Sequence, residues 1–363
     1  MLEAVRPRAH ETVARAGFDV EILSIATANP SYSLDQAEAA RRAKALFPNL
    51  KRLWKLYDNT GIDRRYNCEP IDWYLKEHSW EERTASFQKH AVDLLAEVAL
   101  RTTAEAGIAL TSVDILVTNT ITGLSIPSLD AKLCNRLKLS PRVERLPIFG
   151  LGCGGGVAGL ARATRLTHAT EGAHALFLTV DLCSLCLRVN DPSPAMFVST
   201  ALFGDGAAGV LLRNTADGAS KGPHILAVGE WCWPQTEHIM GWDIKDDGFG
   251  IVLSAELPGL MRENLAPALF DFLVRNDFRL SDFEGFLFHP GGGKLIETVQ
   301  DVLGLDRRDF RHSWEVLRQF GNMSSATVLF VLDRALKAGA RGLHLLAAFG
   351  PGFSAYFAVV ELG

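Results

Sequence analysis

Five glycines crowd around one cysteine in Gly150-Leu151-Gly152-Cys153-Gly154-Gly155-Gly156. The strand-like run Arg145-Leu146-Pro147-Ile148-Phe149 leads into this bend and reads as a short buried strand. The small-residue run Val157-Ala158-Gly159-Leu160-Ala161-Arg162-Ala163 leaves it as a helix. A strand that turns this sharply into a helix is a joint of α/β architecture, and it exposes whatever side chain sits in the bend. The geometry predicts Cys153 at a helix N-terminus, where the partial positive charge of the helix dipole favours thiolate over thiol. Two other readings compete. Gly150-x-Gly152-x-x-Gly155 after a strand, with Asp181 ending a later strand, matches a dinucleotide-binding fingerprint, although a cysteine in its middle has no part in holding a pyrophosphate. A free cysteine is also often just a small core residue.

The chain has 363 residues, 48% of them hydrophobic, enough to bury a large core in one large domain or two fused ones. Charged residues make up 22% with a net charge of -5 and no basic run, so no nucleic-acid or polybasic membrane partner is expected. The opening Met1-Leu2-Glu3-Ala4-Val5-Arg6-Pro7-Arg8 lacks the apolar core of a signal peptide, and Gly350-Pro351-Gly352 breaks the last apolar stretch. The expectation is a cytoplasmic protein without stable membrane insertion. Six scattered cysteines then argue against a disulfide framework. Cys183-x-x-Cys186 has no second pair to complete a zinc site, so two cysteines lining a core or cavity are favoured over a metal or redox site.

Strand-like and helix-like segments alternate along the chain. A helical region from Thr84 to Ala106 precedes the strand Asp114-Ile115-Leu116-Val117-Thr118-Asn119-Thr120. The order repeats later: helical Leu260 to Val274 leads into Gly285-Phe286-Leu287-Phe288-His289, and helical Ala326 to Ala340 leads into Gly342 to Phe349. Two α/β halves of related layout, 1–220 and 221–363, are expected, joined near Asn214 to Gly222. Such halves bring their functional loops to one shared face.

Three loops join Cys153 as candidates: His289-Pro290-Gly291-Gly292-Gly293 after a strand, Gly321-Asn322-Met323-Ser324-Ser325 before a helix, and the glycine bend Phe349-Gly350-Pro351-Gly352-Phe353. Singly each has a plain explanation. A lone histidine is often structural, and Asn322 could cap the helix that follows it. Together with Cys153 they supply what thioester chemistry needs: a sulfur nucleophile, an imidazole to stabilise the thiolate, and two neutral N–H donors for a developing oxyanion.

These motifs, with Phe203-Gly204-Asp205-Gly206-Ala207-Ala208 and from Ile25-Ala26-Thr27-Ala28-Asn29-Pro30 onward, occur in the order found in type III polyketide synthases, the chalcone-synthase-like branch of the thiolase superfamily. The chain resembles that family over nearly its whole length. The resemblance implies a thiolase-like αβαβα layered fold, a homodimer, and no cofactor beyond the substrates acyl-CoA and malonyl-CoA. It implies that Cys153 accepts an acyl group from coenzyme A, with His289 holding the thiolate as an ion pair. His289 and Asn322 would aim donors at the enolate left when malonyl-CoA loses CO₂, and Phe203 would be the gatekeeper whose apolar face disfavours a solvated carboxylate. Arg52 and Lys55, one helical turn apart, match basic positions that hold coenzyme A phosphates, while a third such position is Asn59 here. Ser324 is expected at the substrate.

Around the cavity, Cys183 and Cys186 align with threonines of plant chalcone synthases, Ile126 with a methionine that reaches across the dimer, and Ile251 or Phe249 with a second gatekeeper phenylalanine. Cysteine for threonine makes the wall more apolar, which suits an aliphatic chain. The resemblance of Met240-Gly241-Trp242-Asp243 and Cys183-Ser184-Leu185 to bacterial and fungal enzymes points the same way: a long-chain fatty acyl starter, extended and cyclised to an alkylresorcinol or alkylpyrone. The alternatives are a ketoacyl-ACP synthase, an HMG-CoA synthase, a nucleotide-binding oxidoreductase using the glycine fingerprint, and an inactive acyl-CoA-binding scaffold. Neither the basic face that the first would need nor the general-base glutamate of the second is visible.

Overall fold

The computed structural model describes residues 18–215 and 222–363, so the expected joint at 220/221 lies outside the described residues. The strands of the first half are β1 (Val20–Ala28), β2 (Tyr32–Asp35), β3 (Arg64–Asn67), β4 (Ile115–Thr120), β5 (Glu144–Phe149), β6 (His174–Leu182) and β7 (Asp205–Asn214). Those of the second are β8 (His224–Cys232), β9 (Met240–Lys245), β10 (Gly248–Leu253), β11 (Gly285–Phe288), β12 (Gly342–Gly350) and β13 (Ser354–Leu362). Nine of them form one mixed sheet in the order β11-β12-β13-β8-β1-β7-β6-β4-β5. The two halves of that sheet meet at a single register pair between β1 and β8, Glu21 with His224.

The helices explain the layering. In the first half they are α1 (Gln36–Leu46), α2 (Trp80–Glu105), α3 (Leu129–Leu137), α4 (Gly155–Ala169) and α5 (Pro194–Leu202). The second half adds α6 (Leu257–Arg275), α7 (Gly293–Leu303), α8 (Arg311–Phe320) and α9 (Thr327–Lys337). α4 and α9 pack on each other and on strands of both half-sheets, forming the central layer. α2 and α3 cover the outer face of the first half, and α6 and α7 that of the second. The result is the expected αβαβα arrangement. Its middle layer is buried nearly all round, which is why α4 is built from Gly, Ala, Val and Leu rather than from an amphipathic stripe. β4, β6 and β7 are likewise covered on both faces and read as continuous buried runs.

Three expectations shift. β5 is the outermost strand of its half, and Phe149 is 46% exposed, so it is an edge and not a buried strand. Pro147 carries that signal, since proline cannot donate to a ladder on both sides. α2 begins at Trp80, where Ser79 and Glu82 form a reciprocal capping box (3.2 and 2.8 Å), four residues before the predicted start. Arg52 and Lys55, expected one helical turn apart, lie on the 3₁₀ segment Pro48–Asn59, which has a kink at Leu50.

Candidate active site

The bend after β5 makes a short 3₁₀ turn, Gly152–Gly154, before α4 starts. Its glycines serve packing between the halves. Gly152 has φ +51°, and a Cβ there would lie 2.5 Å from Pro351 Cδ; a Cβ on Gly156 would lie 2.2 Å from the Ser325 carbonyl oxygen. The groove that a pyrophosphate would need is thus filled by the loop Gly350–Gly352 and the turn at Ser325. Asp181, the acid which the fingerprint reading assigns to a ribose, is fully buried and accepts hydrogen bonds from Ile121 N (2.8 Å), Ser325 N (2.9 Å) and Ser325 Oγ (2.5 Å).

The other two loops arrive at the same place. His289 follows β11, its backbone N–H donating to Ala347 O (2.7 Å), and its side chain is buried with both ring nitrogens lacking a hydrogen-bond partner among the described residues. Asn322 does not cap α9, whose N-cap is Ala326. Instead it pairs with the segment around Phe203 backbone to backbone: Asn322 N donates to Leu202 O (2.9 Å), and Gly204 N donates to Asn322 O (2.9 Å), giving a parallel bridge between Phe203 and Asn322. Its side-chain orientation is fixed by two partners of unlike kind. Ser324 N–H, a donor only, faces Oδ1 (2.8 Å), and the Gly291 carbonyl, an acceptor only, takes a hydrogen bond from Nδ2 (3.1 Å). Ser324 holds φ +50°, a left-handed conformation that costs a non-glycine residue about 1 kcal/mol and turns its N–H toward that oxygen. The Cys153 thiol approaches the same Oδ1 at 4.0 Å.

Cys153, Phe203, His289, Asn322, Ser324, Cys183 and Ile251 all line one cavity of about 740 Å³, its open mouth included, with otherwise mainly apolar walls. Burial opposes an isolated charge at either side chain: it pushes the Cys153 thiol up to about 11 and the His289 imidazole down to about 3. Burial at Cys153 thus acts against the thiolate that a helix N-terminus favours. A net-neutral arrangement, with the proton moved from sulfur to ring, is the charged form that burial penalises least.

The remaining predicted residues lie elsewhere in this chain. Cys186 and Phe249 line a neighbouring cavity of about 320 Å³, where the Cys186 thiol faces Thr122 O (3.8 Å). Phe249 stacks on Trp242 (centroids 5.7 Å apart) and meets Trp80 edge-on. This separates the two gatekeeper candidates: Ile251, two residues along β10, lines the Cys153 cavity, and Phe249 does not. Arg52 and Lys55 are exposed on the 3₁₀ segment, where an i, i+3 spacing still puts them on one face. Ile126 is 96% exposed.

Sequence reasoning missed most of the hairpin β9–β10, which supplies Met240, Trp242, Val252 and Leu253 to the cavity wall. Asp247-Gly248 between two apolar runs was the available signal. Trp242 ties the hairpin down, its Nε1–H donating to Ile121 O (2.8 Å). Among the described residues no cluster of His, Cys, Asp or Glu is arranged to hold a metal ion, all six cysteines are free thiols, and no helix is long and apolar enough to cross a membrane.

A layered α/β fold that brings a thiol, an imidazole and an amide to one apolar cavity defines a thiolase-like acyl-transferring enzyme. Comparison with known proteins narrows this class. Residues 10–216 match the N-terminal domain of chalcone and stilbene synthases, and residues 226–361 match the C-terminal domain. The chain is 36% identical over 352 residues to a putative chalcone synthase of Bacillus subtilis, covering 92% of this chain and 96% of that protein. It is 37% identical over 317 residues to a 1,3,6,8-tetrahydroxynaphthalene synthase of Streptomyces peucetius, covering 85% and 83%. The crystal structure of the tetrahydroxynaphthalene synthase of Streptomyces coelicolor, a bacterial type III polyketide synthase, superposes with a TM-score of 0.89 at 28% identity, over 94% of this chain and 99% of that one. The chain belongs to the chalcone and stilbene synthase family, the type III polyketide synthases. It is a decarboxylating acyltransferase that condenses CoA thioesters.

Proposed function

We propose that Cys153 carries the growing acyl chain and that the starter is a long-chain fatty acyl-CoA, extended by malonyl-CoA to an alkylresorcinol or alkylpyrone. In this reading the Cys153 thiolate attacks the acyl-CoA carbonyl and expels the CoA thiolate, which takes up a proton. Malonyl-CoA then loses CO₂, and the electron pair of the broken C–C bond becomes an enolate whose oxygen accepts hydrogen bonds from His289 and from the second N–H of the Asn322 amide. The enolate carbon attacks the acyl thioester, forming the new C–C bond as Cys153 leaves. Phe203 presents an apolar face to the carboxylate before its loss. The reading assigns coenzyme A phosphates to Arg52 and Lys55, takes no cofactor beyond the substrates, and includes a homodimer with Ile126 at the interface, a cytoplasmic setting and two halves, 1–220 and 221–363.

The observation that carries the starter assignment is the wall of the cavity. Cys183 lines it beside Cys153, and a second cavity begins at Cys186, one 3₁₀ turn further on. Relatives bear names of more than one product type: one 30% identical over 352 residues is an alpha-pyrone synthesis polyketide synthase-like protein of Mycobacterium tuberculosis, and another is a phloroglucinol synthase of Pseudomonas fluorescens. Each methylene that reaches an apolar wall contributes about 0.8 kcal/mol, close to fourfold in kcat/KM. The expected result with a panel of saturated acyl-CoA starters and malonyl-CoA is a rise of about that factor per added CH₂ until the cavity ends, with long-chain resorcinols or pyrones identified by mass spectrometry. Strict preference for acetyl-sized, aromatic or malonyl-only priming would overturn it.

The ion pair has its own test. With His289 in place, alkylation of Cys153 by iodoacetamide should proceed at neutral pH. In His289→Ala the sulfur loses the imidazole to which the proposed ion pair assigns its proton, and the rate should fall by at least about tenfold at pH 7 and climb with pH toward the thiol's own value of about 11. Superimposable pH profiles for the two proteins would remove His289 from thiolate stabilisation.

A further inference from the structure

Behind the gatekeeper lies a buried cation that the reaction scheme does not use. Arg65, on β3, is only 3% exposed, and burial lowers its pKa. Among the described residues it forms no ion pair with a carboxylate, and two of its guanidinium nitrogens, Nε and Nη2, have no geometric hydrogen-bond partner. The Tyr57 hydroxyl, itself bonded to Thr200 Oγ1 (2.7 Å), is the polar group whose interaction offsets part of the desolvation. Taking a guanidinium out of water carries a penalty that its contacts in the fold must offset.

Those contacts converge on the proposed catalytic pair. Arg65 Nη1 donates to the carbonyls of Thr200 and Phe203 (3.3 Å to the latter), the last turn of α5 and the gatekeeper itself. The aliphatic stem of the same side chain lies against the glycines beside the Phe203–Asn322 bridge. A Cβ on Gly321 would lie 2.7 Å from Arg65 Cγ, and one on Gly204 would lie 3.3 Å from Arg65 Cβ. Gly204 follows Phe203 and Gly321 precedes Asn322, so one side chain braces both strands of the bridge while its head group holds the Phe203 carbonyl. On the far side, Arg65 and Phe203 both line a separate cavity of about 610 Å³ that also reaches α1.

We propose that Arg65 is a positioning residue for the condensation: it fixes the backbone of Phe203 and, through the Phe203–Asn322 pairing, the aim of the Asn322 amide at the enolate. This inference rests on the roles proposed above for Phe203 and Asn322, and not on which starter is used. Lysine in its place keeps the charge, but a single ammonium on a flexible stem lacks the planar fork and the stem packing. A displacement of about 1 Å at a reacting group costs up to about 100-fold in rate.

The test measures three quantities on folded protein: acyl loading of Cys153 by mass spectrometry, CO₂ release from malonyl-CoA, and product formation. For Arg65→Lys the expected result is intact loading, malonyl-CoA KM within about threefold of wild type, and kcat for decarboxylation down about 10- to 100-fold. For Arg65→Ala, millimolar guanidinium should enter by the cavity behind Phe203 and restore kcat at least about fivefold, while equal ammonium should not. Should Arg65→Ala fail to fold, Arg65→Lys combined with Phe203→Leu decides: a double variant no worse than the poorer single supports action through Phe203, and multiplying losses overturn it. A folded Arg65→Lys with wild-type kcat overturns the positioning role alone. A wild-type protein that does not decarboxylate malonyl-CoA overturns the proposed roles of Phe203 and Asn322 as well.

Discussion

Replacement of Cys153 by alanine is expected to abolish covalent acyl loading and to lower product formation by at least about 10⁴-fold, since removal of a nucleophile removes the covalent route altogether. The result is sharper than a usual knockout because a second thiol lines the same cavity. Cys183 is 4% exposed, and burial together with the nearby carboxylates of Asp181 and Asp205 raises its pKa well above that of an ordinary thiol. The pKa of Cys153 is also raised by burial and by Asp181, but Ser324 and the Asn322 amide are hydrogen-bonding neighbours that partly offset this, and Cys153 is less buried than Cys183. Peptide mapping after incubation with a starter acyl-CoA should find the acyl group on Cys153, and Cys183→Ala should still load. An acyl group found on Cys183, or normal loading in Cys153→Ala, would refute the assignment.

Asn322→Ala is expected to leave loading intact and to slow malonyl-CoA decarboxylation by about 100- to 1,000-fold, the effect of removing one donor from a preorganised oxyanion site. Loading needs the sulfur, while loss of CO₂ needs a donor for the enolate oxygen. The amide is held so that Oδ1 points to Ser324 N–H and one Nδ2 proton points to Gly291 O, leaving a single N–H for the substrate. Truncation also strands those two backbone groups, at a stability cost of about 1–3 kcal/mol, so a melting curve should accompany the kinetics. Equal loss of loading and decarboxylation in a folded variant would show that Asn322 serves the cavity as a whole and not the decarboxylation step.

The fold class and the centre of the site were legible because each depends on local backbone chemistry. A glycine bend between a strand and a helix, a histidine at a strand end and an asparagine in a Gly-Asn-x-Ser turn are written in short windows of sequence. Ordering them as one set took the family resemblance, since Cys153, His289 and Asn322 are far apart in the chain. What stayed hidden depends on tertiary context. Arg65 sits in an ordinary basic pair, Arg64-Arg65, and nothing local says that one of them is buried against two glycines from distant segments. Phe249 and Ile251 have the same hydrophobic character and lie on the same face of one strand, about 7 Å apart along it. Only the packing of the hairpin decides which of them reaches the sulfur's cavity. The edge position of β5 and the start of α2 were signalled by Pro147 and by Ser79 with Glu82, respectively.

The hairpin β9–β10 forms a two-stranded sheet of its own, outside the nine-stranded sheet that carries the strand before His289. Phe203 and Asn322 are locked to each other by backbone hydrogen bonds, so a change at one disturbs the other. The hairpin is tied to Ile121 through Trp242 and not to that pair, yet it supplies several residues of the cavity wall. Under the proposed roles, substitutions at Met240, Ile251 or Leu253 would reshape the space open to a growing chain and leave the Phe203–Asn322 pairing in place. The hairpin is then the segment through which a protein engineer would vary the product without touching the proposed chemistry.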